Sequence, residues 1–402
     1  MMPNQRILIA GAGPVGLTAA ACLVRRGIPV KVFEASAALT TESRATTFHP
    51  PTLDMLDDLG LAESLAQRGL IARRLQYRSG RDEVMATFDY SAIADSTRHP
   101  YRLQCEQFNL TRIIHDQLSG NPNYQIEFGT RVSGVSQDRT GVTVELSSFS
   151  SAPREERGSW LIGADGSHSA VRKALGIPFE GFTWPERFLI VDTSFDFHTA
   201  LAGVESLTYV AAPMNWRFLL QLPSRWRVIL PLARDLPDAT ATSRAFARTA
   251  LSTLASGVDD GEIAHIALFK VHQRVAAAFR AGRVFLAGDA AHINNPLGGM
   301  GLNGGIHDAV NLAERLGEFC TRPAPDTDLD LYDLQRRAVA IEHVQKHSIR
   351  TKRNLETSDP DERDGFRDEL RRTANDRQLT REFLRRVSMI ASLDRAKELG
   401  VL

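Results

Sequence analysis

Cysteine is scarce in this chain. Cys22, Cys105 and Cys320 are three in 402 residues, and none stands in a C-x-x-C pair. That excludes a disulfide framework and a thiolate metal site, and it suits a reducing, cytoplasmic setting. Charge of one sign is also lacking. The 48 basic and 48 acidic side chains cancel, so no bulk field draws nucleic acid or an acidic membrane. Long apolar runs are missing apart from residues 7–24, eighteen positions without a charge. Three glycines and a proline among the first ten split that run into strand, loop and helix, against a membrane span or signal peptide. What remains is an ordinary globular composition, 43% apolar and 24% charged, with enough chain for two to three domains.

Pattern divides the chain. Residues 6–10 read as a buried strand, 14–27 as a helix stopped by Gly27, and 29–34 as a second strand, together a βαβ unit. Helices follow at 50–60 and 107–118, a hairpin at 70–88, paired strands around 124–135 and 142–146, and a short strand at 160–163. Over 182–232 alternation and aromatic residues dominate, predicting an antiparallel sheet. Helix returns at 243–254, strands at 263–271 and 283–287, and a periodic helix at 303–319. Residues 350–386 carry 11 positive and 9 negative side chains, which reads as solvated helix with salt bridges. An apolar stripe of Leu379, Phe383, Val387 and Ile390 docks it onto its own chain.

The chemistry sits in glycine motifs. Gly11-Ala-Gly13-Pro14-Val15-Gly16 joins the first strand to the first helix, and Glu34-Ala35 ends the second strand. Gly11 permits the turn, Gly13 lets a pyrophosphate approach, Gly16 lets helix and strand pack, and Glu34 can accept from a ribose. The motif alone does not separate FAD from NAD. A second strand–turn–helix carries Asp165-Gly166, where Asp165 reads equally as a cap. A third carries Gly288-Asp289, followed by a loop with five glycines in residues 294–305 that leads into a helix.

These three motifs, in this order, resemble the single-component flavoprotein aromatic hydroxylases, the group A flavin monooxygenases of the para-hydroxybenzoate hydroxylase fold. Ser43-Arg44 and Arg102-Leu-Gln104 are similar to two further segments of that family. The resemblance implies an α/β fold. It has a Rossmann-like FAD-binding domain (1–72, 100–180, 272–345), a mostly antiparallel β-sheet substrate domain (73–99, 181–271) and a helical C-terminal region (346–402). It assigns Gly11, Gly13, Pro14, Val15, Gly16, Glu34 and Ala35 to the ADP half of FAD, and Arg44 and Gln104 to the pyrophosphate and ribityl chain. Asp165 and Gly166 fall to FAD and NAD(P)H binding, and Gly288 and Asp289 to ribityl or ribose hydroxyls. Gly299, Gly301, Leu302 and Asn303 fall to the isoalloxazine, and Pro296 to the oxygen-reaction pocket. Asn295 stands where many relatives have a proline, which changes the loop's stiffness and polarity.

The implied reaction uses NADH or NADPH and O2 to hydroxylate an activated phenolic or hydroxy-heteroaromatic ring through a flavin C4a-hydroperoxide. Substrate contacts are expected from Tyr209, Asn215, Arg217 and Gln221. Alternation puts the last three on one face, where Arg217 suits an anionic substrate or is simply an arginine on a sheet. His49, His168 and His292 read as structural rather than as bases. The partner is a small aromatic molecule, with no nucleic acid, metal or membrane span, in a monomer or homodimer. The alternatives are a monooxygenase of non-aromatic or polyketide-type substrates and a nicotinamide-only dehydrogenase.

Overall fold

The structure is a computed structural model, and it describes residues 6–42, 45–80, 83–148, 152–213, 215–322 and 325–400. Its first layer follows from apolar runs too short for helices and buried on both faces. Ile7–Ala10 is fully buried and is the third strand from one edge of a six-stranded sheet. The order is Tyr124–Glu127, Val30–Phe33, Ile7–Ala10, Trp160–Gly163, Val284–Leu286 and Arg280–Ala281. The pairs are parallel except the last. Parallel strands need crossovers, and Pro14–Arg25 is the first, packed against helices Gln107–Leu118 and Met300–Thr321. An antiparallel three-stranded sheet, Thr130–Gln137, Val142–Ser148 and Arg154–Gly158, contributes Val132, Val142, Val144 and Leu146 to the same core.

The second layer is an eight-stranded sheet. From one edge its strands are His292–Ile293, Ile263–Ala276, Phe179–Thr193 and Arg225–Leu232. Arg217–Leu222, Leu207–Ala211, Arg74–Ser79 and Glu83–Asp89 complete it. Only the Leu207–Ala211 and Arg74–Ser79 pair is parallel. Period-two alternation sorts its side chains between two cores. On one face Phe188, Tyr209, Phe218, Leu220 and Ile229 meet Leu370, Leu384 and Val387 of the C-terminal helices. On the other, Leu189, Val191, Val210, Leu219 and Val228 meet Ala247 and Leu251 of helix Arg244–Ser252.

Two of the expected domain divisions fall inside continuous elements. Ile263–Ala276 and Phe179–Thr193 each span from the large sheet toward the parallel layer. The helical run Thr327–Val339, Ala340–Gln345, Lys346–Glu356 passes residue 346 unbroken. The hairpin expected at 70–88 begins later: Leu70–Ala72 pairs with Arg102–Gln104 in a separate small sheet. The C-terminal stripe docks on its own chain, with Val387 and Ile390 buried and Phe383 packed beside them. No helix among the described residues is long and apolar enough to cross a membrane.

Candidate active site

The first glycine motif uses each glycine differently. Gly11 has φ +99°, and a Cβ there would collide with the Ala164 carbonyl oxygen. A Cβ on Gly16 would collide with the Gly11 carbonyl. These two glycines serve the fold. Gly13 is different: a Cβ there meets nothing within 4 Å. Gly13 is the N-cap of the helix that starts at Pro14, and no side chain caps that end. The cradle is therefore a helix N-terminus with its donors turned to open space. Beside it, Glu34 accepts from the Ala12 amide at 2.8 Å and the Ser36 amide at 2.9 Å, with Ala35 between. Arg44 lies outside the described residues.

The other motifs converge on this cradle. A Cβ on Gly288 (φ +60°) would stand 2.8 Å from Val15 Cγ2, and one on Gly305 2.6 Å from the same atom. The first motif, the Gly-Asp turn and the helix Met300–Thr321 thus meet where only hydrogen fits. Asp289 sits exposed on that turn. Asp165 Oδ2 accepts from the Ala170 and Val171 amides at 2.7 and 3.1 Å, so it starts helix Ala170–Ala174, while its buried Oδ1 has no partner. Gly166 (φ +81°) makes the turn. Arg172 ties the two segments, donating to Ser167 O at 2.9 Å and Ala290 O at 2.8 Å.

The glycine-rich loop closes the far end. Gly298 and Gly299 have φ +96° and +67°, and the helix beginning at Met300 has no side-chain cap. Gly301 and Leu302 lie in its first turn. The fully buried Asn303 bolts this end to strand Thr47–Phe48. It donates to Thr47 O at 2.9 Å and accepts from the His49 amide at 2.8 Å. Its amide is thereby spent on protein, leaving backbone groups of that turn for a ligand. Thr47 donates to Gln104 Oε1 at 2.6 Å, and Gln104 Nε2 is buried with no partner. Pro296 is partly exposed on the loop and accepts from Gly299 N at 3.0 Å.

The substrate-side expectations divide. The Tyr209 hydroxyl accepts from Gly298 N at 2.9 Å, which joins the large sheet to the loop. Tyr209 stacks on Phe218 at 4.2 Å and on Tyr77 at 5.1 Å, forming an aromatic wall. Arg217 and Gln221 lie across the sheet from that wall, contrary to the expectation. Arg217 donates to Asn215 O, Trp216 O, Ala250 O and Thr253 Oγ1 beneath helix Arg244–Ser252. Gln221 accepts from Ser206 at 2.8 Å. Asn215 is exposed. The physical reason is register: Phe218 opposes Tyr209, so 217 and 221 take the other face.

Sequence reasoning passed over Asp308, Arg336 and His307 here. Asp308, fully buried, accepts from Gly288 N at 3.1 Å, His292 Nε2 at 2.8 Å and Arg336 Nε at 2.7 Å. Burial pushes its carboxyl up, but His292 and Arg336 outweigh that and hold it below the usual range. Burial drives His307 down to about 3, and it pairs with Thr52 Oγ1 at 2.9 Å. Burial also holds His49 well below its ordinary value, and His49 donates to Gly298 O at 2.9 Å. Both are neutral at neutral pH; His49 braces the loop, and His307 ties helix Met300–Thr321 to helix Pro50–Asp58. Burial pushes the Cys22 and Cys105 thiols up to about 12 and 11, so neither is a reactive thiolate. No cluster of metal-ligating side chains occurs among the described residues.

An open-faced Gly13, an uncapped helix end, and orphaned polar atoms on Gln104 and Asp165 fit a long dinucleotide laid from cradle to loop. Comparison decides which one. Residues 4–347 match the family described as FAD binding domain. The chain belongs to that family. Among its relatives, para-nitrophenol 4-monooxygenase of Pseudomonas sp. (strain WBC-3) is 36% identical over 94% of both chains. The 6-hydroxy-3-succinoylpyridine 3-monooxygenase of Pseudomonas putida (strain DSM 28022 / S16) is 33% identical over 90% of this chain and 92% of its own. The crystal structure of p-nitrophenol 4-monooxygenase from Pseudomonas putida DLL-E4 superposes with a TM-score of 0.91 at 31% identity, covering 98% of each chain. This FAD-binding-domain protein is an FAD-dependent monooxygenase of the single-component aromatic hydroxylase group, and its fold is theirs. The nicotinamide-only dehydrogenase reading is thereby set aside.

Proposed function

We propose that this monooxygenase uses NAD(P)H and dioxygen to hydroxylate a single-ring phenol or hydroxy-heteroaromatic compound. The observation that carries it is likeness, over nine-tenths or more of each chain, to two enzymes named for such rings.

The chain's own contribution is binding, orientation and exclusion of water. Gly13 leaves room for the pyrophosphate at the helix end, a turn that Gly11, Pro14, Val15 and Gly16 shape, with Glu34 and Ala35 on the adenosine side. Arg44, Gln104, Asp165, Gly166, Gly288 and Asp289 hold the middle of FAD. Gly299, Gly301, Leu302 and the Asn303 backbone present a helix N-terminus to the ring system, where backbone donors stabilise negative charge. Bound FAD supplies the redox chemistry, accepting hydride from the nicotinamide and activating dioxygen for transfer to an electron-rich ring. Pro296 and the Tyr77–Tyr209–Phe218 wall keep water from that space. Arg217 and Gln221 have no part in this reading. The test is a panel of phenols, hydroxybenzoates and hydroxypyridines, scored for stimulated NADH or NADPH consumption, oxygen uptake and hydroxylated product. Oxidation without oxygen uptake, or product from polycyclic compounds alone, would refute it.

A further inference from the structure

Two of the seven methionines stand together where the backbone is least regular. Met300 directly follows Gly299 and opens the helix whose N-terminus is offered to the FAD ring system. Met389 lies between helices Arg377–Val387 and Ile390–Glu398. With Val344 the two form a small apolar cluster apart from the larger cores. Met389 is the one non-glycine residue with positive φ (+67°) among the described residues. A side chain disfavours that conformation, so the packing around Met389 holds it there. Val344 belongs to the π-helical turn Ala340–Gln345. Met389 Cε stands 3.8 Å from where a Cβ on Gly304 would be, so the cluster backs the first turns of helix Met300–Thr321.

The cluster is buried but not sealed. Met300 and Met389 are 2% and 1% exposed, and both line a cavity of about 150 Å³ whose walls include the exposed Lys346 and Arg386. A cavity of that order admits molecules of water size, and hydrogen peroxide is scarcely larger. The cavity also adjoins the glycine-rich loop. His347, another of its lining residues, has Cδ2 3.6 Å from where a Cβ on Gly298 would stand. Lys346 and Arg386 form no ion pair among the described residues, so the charge on that wall has no direct partner.

We propose that the Met300–Met389 pair is a modification site for peroxide, through which unproductive turnover lowers the protein's hold on FAD. The oxidant comes from the enzyme's own co-substrates. Without a ring to hydroxylate, NAD(P)H, a proton and O2 give NAD(P)+ and hydrogen peroxide. A thioether sulfur then attacks one peroxide oxygen. The O–O bond breaks as the S–O bond forms, the sulfur gives up two electrons, and the other oxygen leaves as water with both protons. Lys346 and Arg386 favour the negative charge that builds on the departing oxygen. The product, methionine sulfoxide, is polar where the thioether was apolar. It weakens the packing that holds Met389 in its disfavoured conformation, and the backing of the helix at Met300 and Gly304 loosens. The source of the peroxide rests on the oxygenase reading above, whereas the site does not.

The test treats the FAD-loaded chain with dilute hydrogen peroxide and, separately, lets it turn over NADH or NADPH in air with no ring present. Peptide mass spectrometry follows the gain of oxygen at each methionine, and FAD affinity is titrated after catalase has removed the peroxide. Met85, buried in the core of the large sheet, is the slow reference, and the half-buried Met55 reports on bulk solvent. Met300 and Met389 should gain oxygen about 10-fold faster than Met85 under both treatments, with a fall of about 10-fold in FAD affinity. The double variant Met300→Leu, Met389→Leu, close in volume, should show no such fall when compared with its own untreated sample. Oxygen gain at Met55 with the pair untouched would overturn the proposal, even should the double variant not fold. Full oxidation of the pair with FAD affinity unchanged would overturn it too. If the chain never consumes NAD(P)H, yet added peroxide marks the pair and releases FAD, the oxygenase reading falls while this one stands.

Discussion

At the scale of single residues, the glycines of one motif divide by what a side chain would strike. Gly11 and Gly16 face backbone carbonyls, whereas Gly13 faces nothing. Gly13 also has φ −70° and ψ 177°, which any residue adopts. Gly13→Val should therefore fold with stability within about 1 kcal/mol of wild type, yet be purified without FAD. Its affinity should fall by about 100-fold or more, because branched carbons fill the phosphate's place. A yellow, FAD-loaded Gly13→Val would sink the cradle assignment. Asn295 is the second instructive residue. Its amide donates to Gln273 Oε1 and its Oδ1 accepts from Leu297 N, both at 3.1 Å, while it is fully buried. Proline can do neither. Asn295→Pro should cost about 1–3 kcal/mol for the unpaired partners, read from urea melts. No loss would mean that the loop is held elsewhere.

At the scale of elements, Asp308 is what keeps the Gly-Asp turn against the helix Met300–Thr321. Removing its charge leaves Arg336, 2% exposed, without a counter-ion. Asp308→Asn should destabilise by about 3–5 kcal/mol and weaken FAD binding through the released Gly288 amide. The double change Asp308→Asn, Arg336→Met should recover part of that stability, and additive losses would contradict the pairing. How much of this was legible follows from the kind of signal each element carries. The strand at Ile7–Ala10, the helix at Pro14 and the loop before Met300 announce themselves through apolar runs bounded by glycine, so the cradle could be placed from sequence. Alternation also put Arg217 and Gln221 together correctly. It could not say which face of the sheet they took, because that depends on pairing with Tyr209 across the sheet.

At the scale of the whole molecule, the buried histidines set the acid limit of stability. His49 and His307 are 0% and 1% exposed, and burial holds both far below the range of a free imidazole. The unfolded chain protonates them near pH 6.5, whereas the folded chain does not. A folded-state pKa lowered in this way leaves stability full above about pH 6.5. Below it the unfolded state takes up protons that the native state refuses. Each histidine then removes about 1.4 kcal/mol per pH unit, until the folded form titrates too, which for His307 is near pH 3. Carboxylates add to the loss only below about pH 5, so the limb between pH 6 and 5 belongs to the histidines. Urea melts between pH 8 and 4 should show a plateau to about pH 6.5 and then a steep fall. In His307→Gln, where an amide can still meet Thr52, the slope between pH 6 and 5 should be shallower by about one proton. The same slope in variant and wild type would mean that His307 is charged in the native state. The Thr52 pairing would then have to be redrawn with the hydroxyl accepting from an imidazolium.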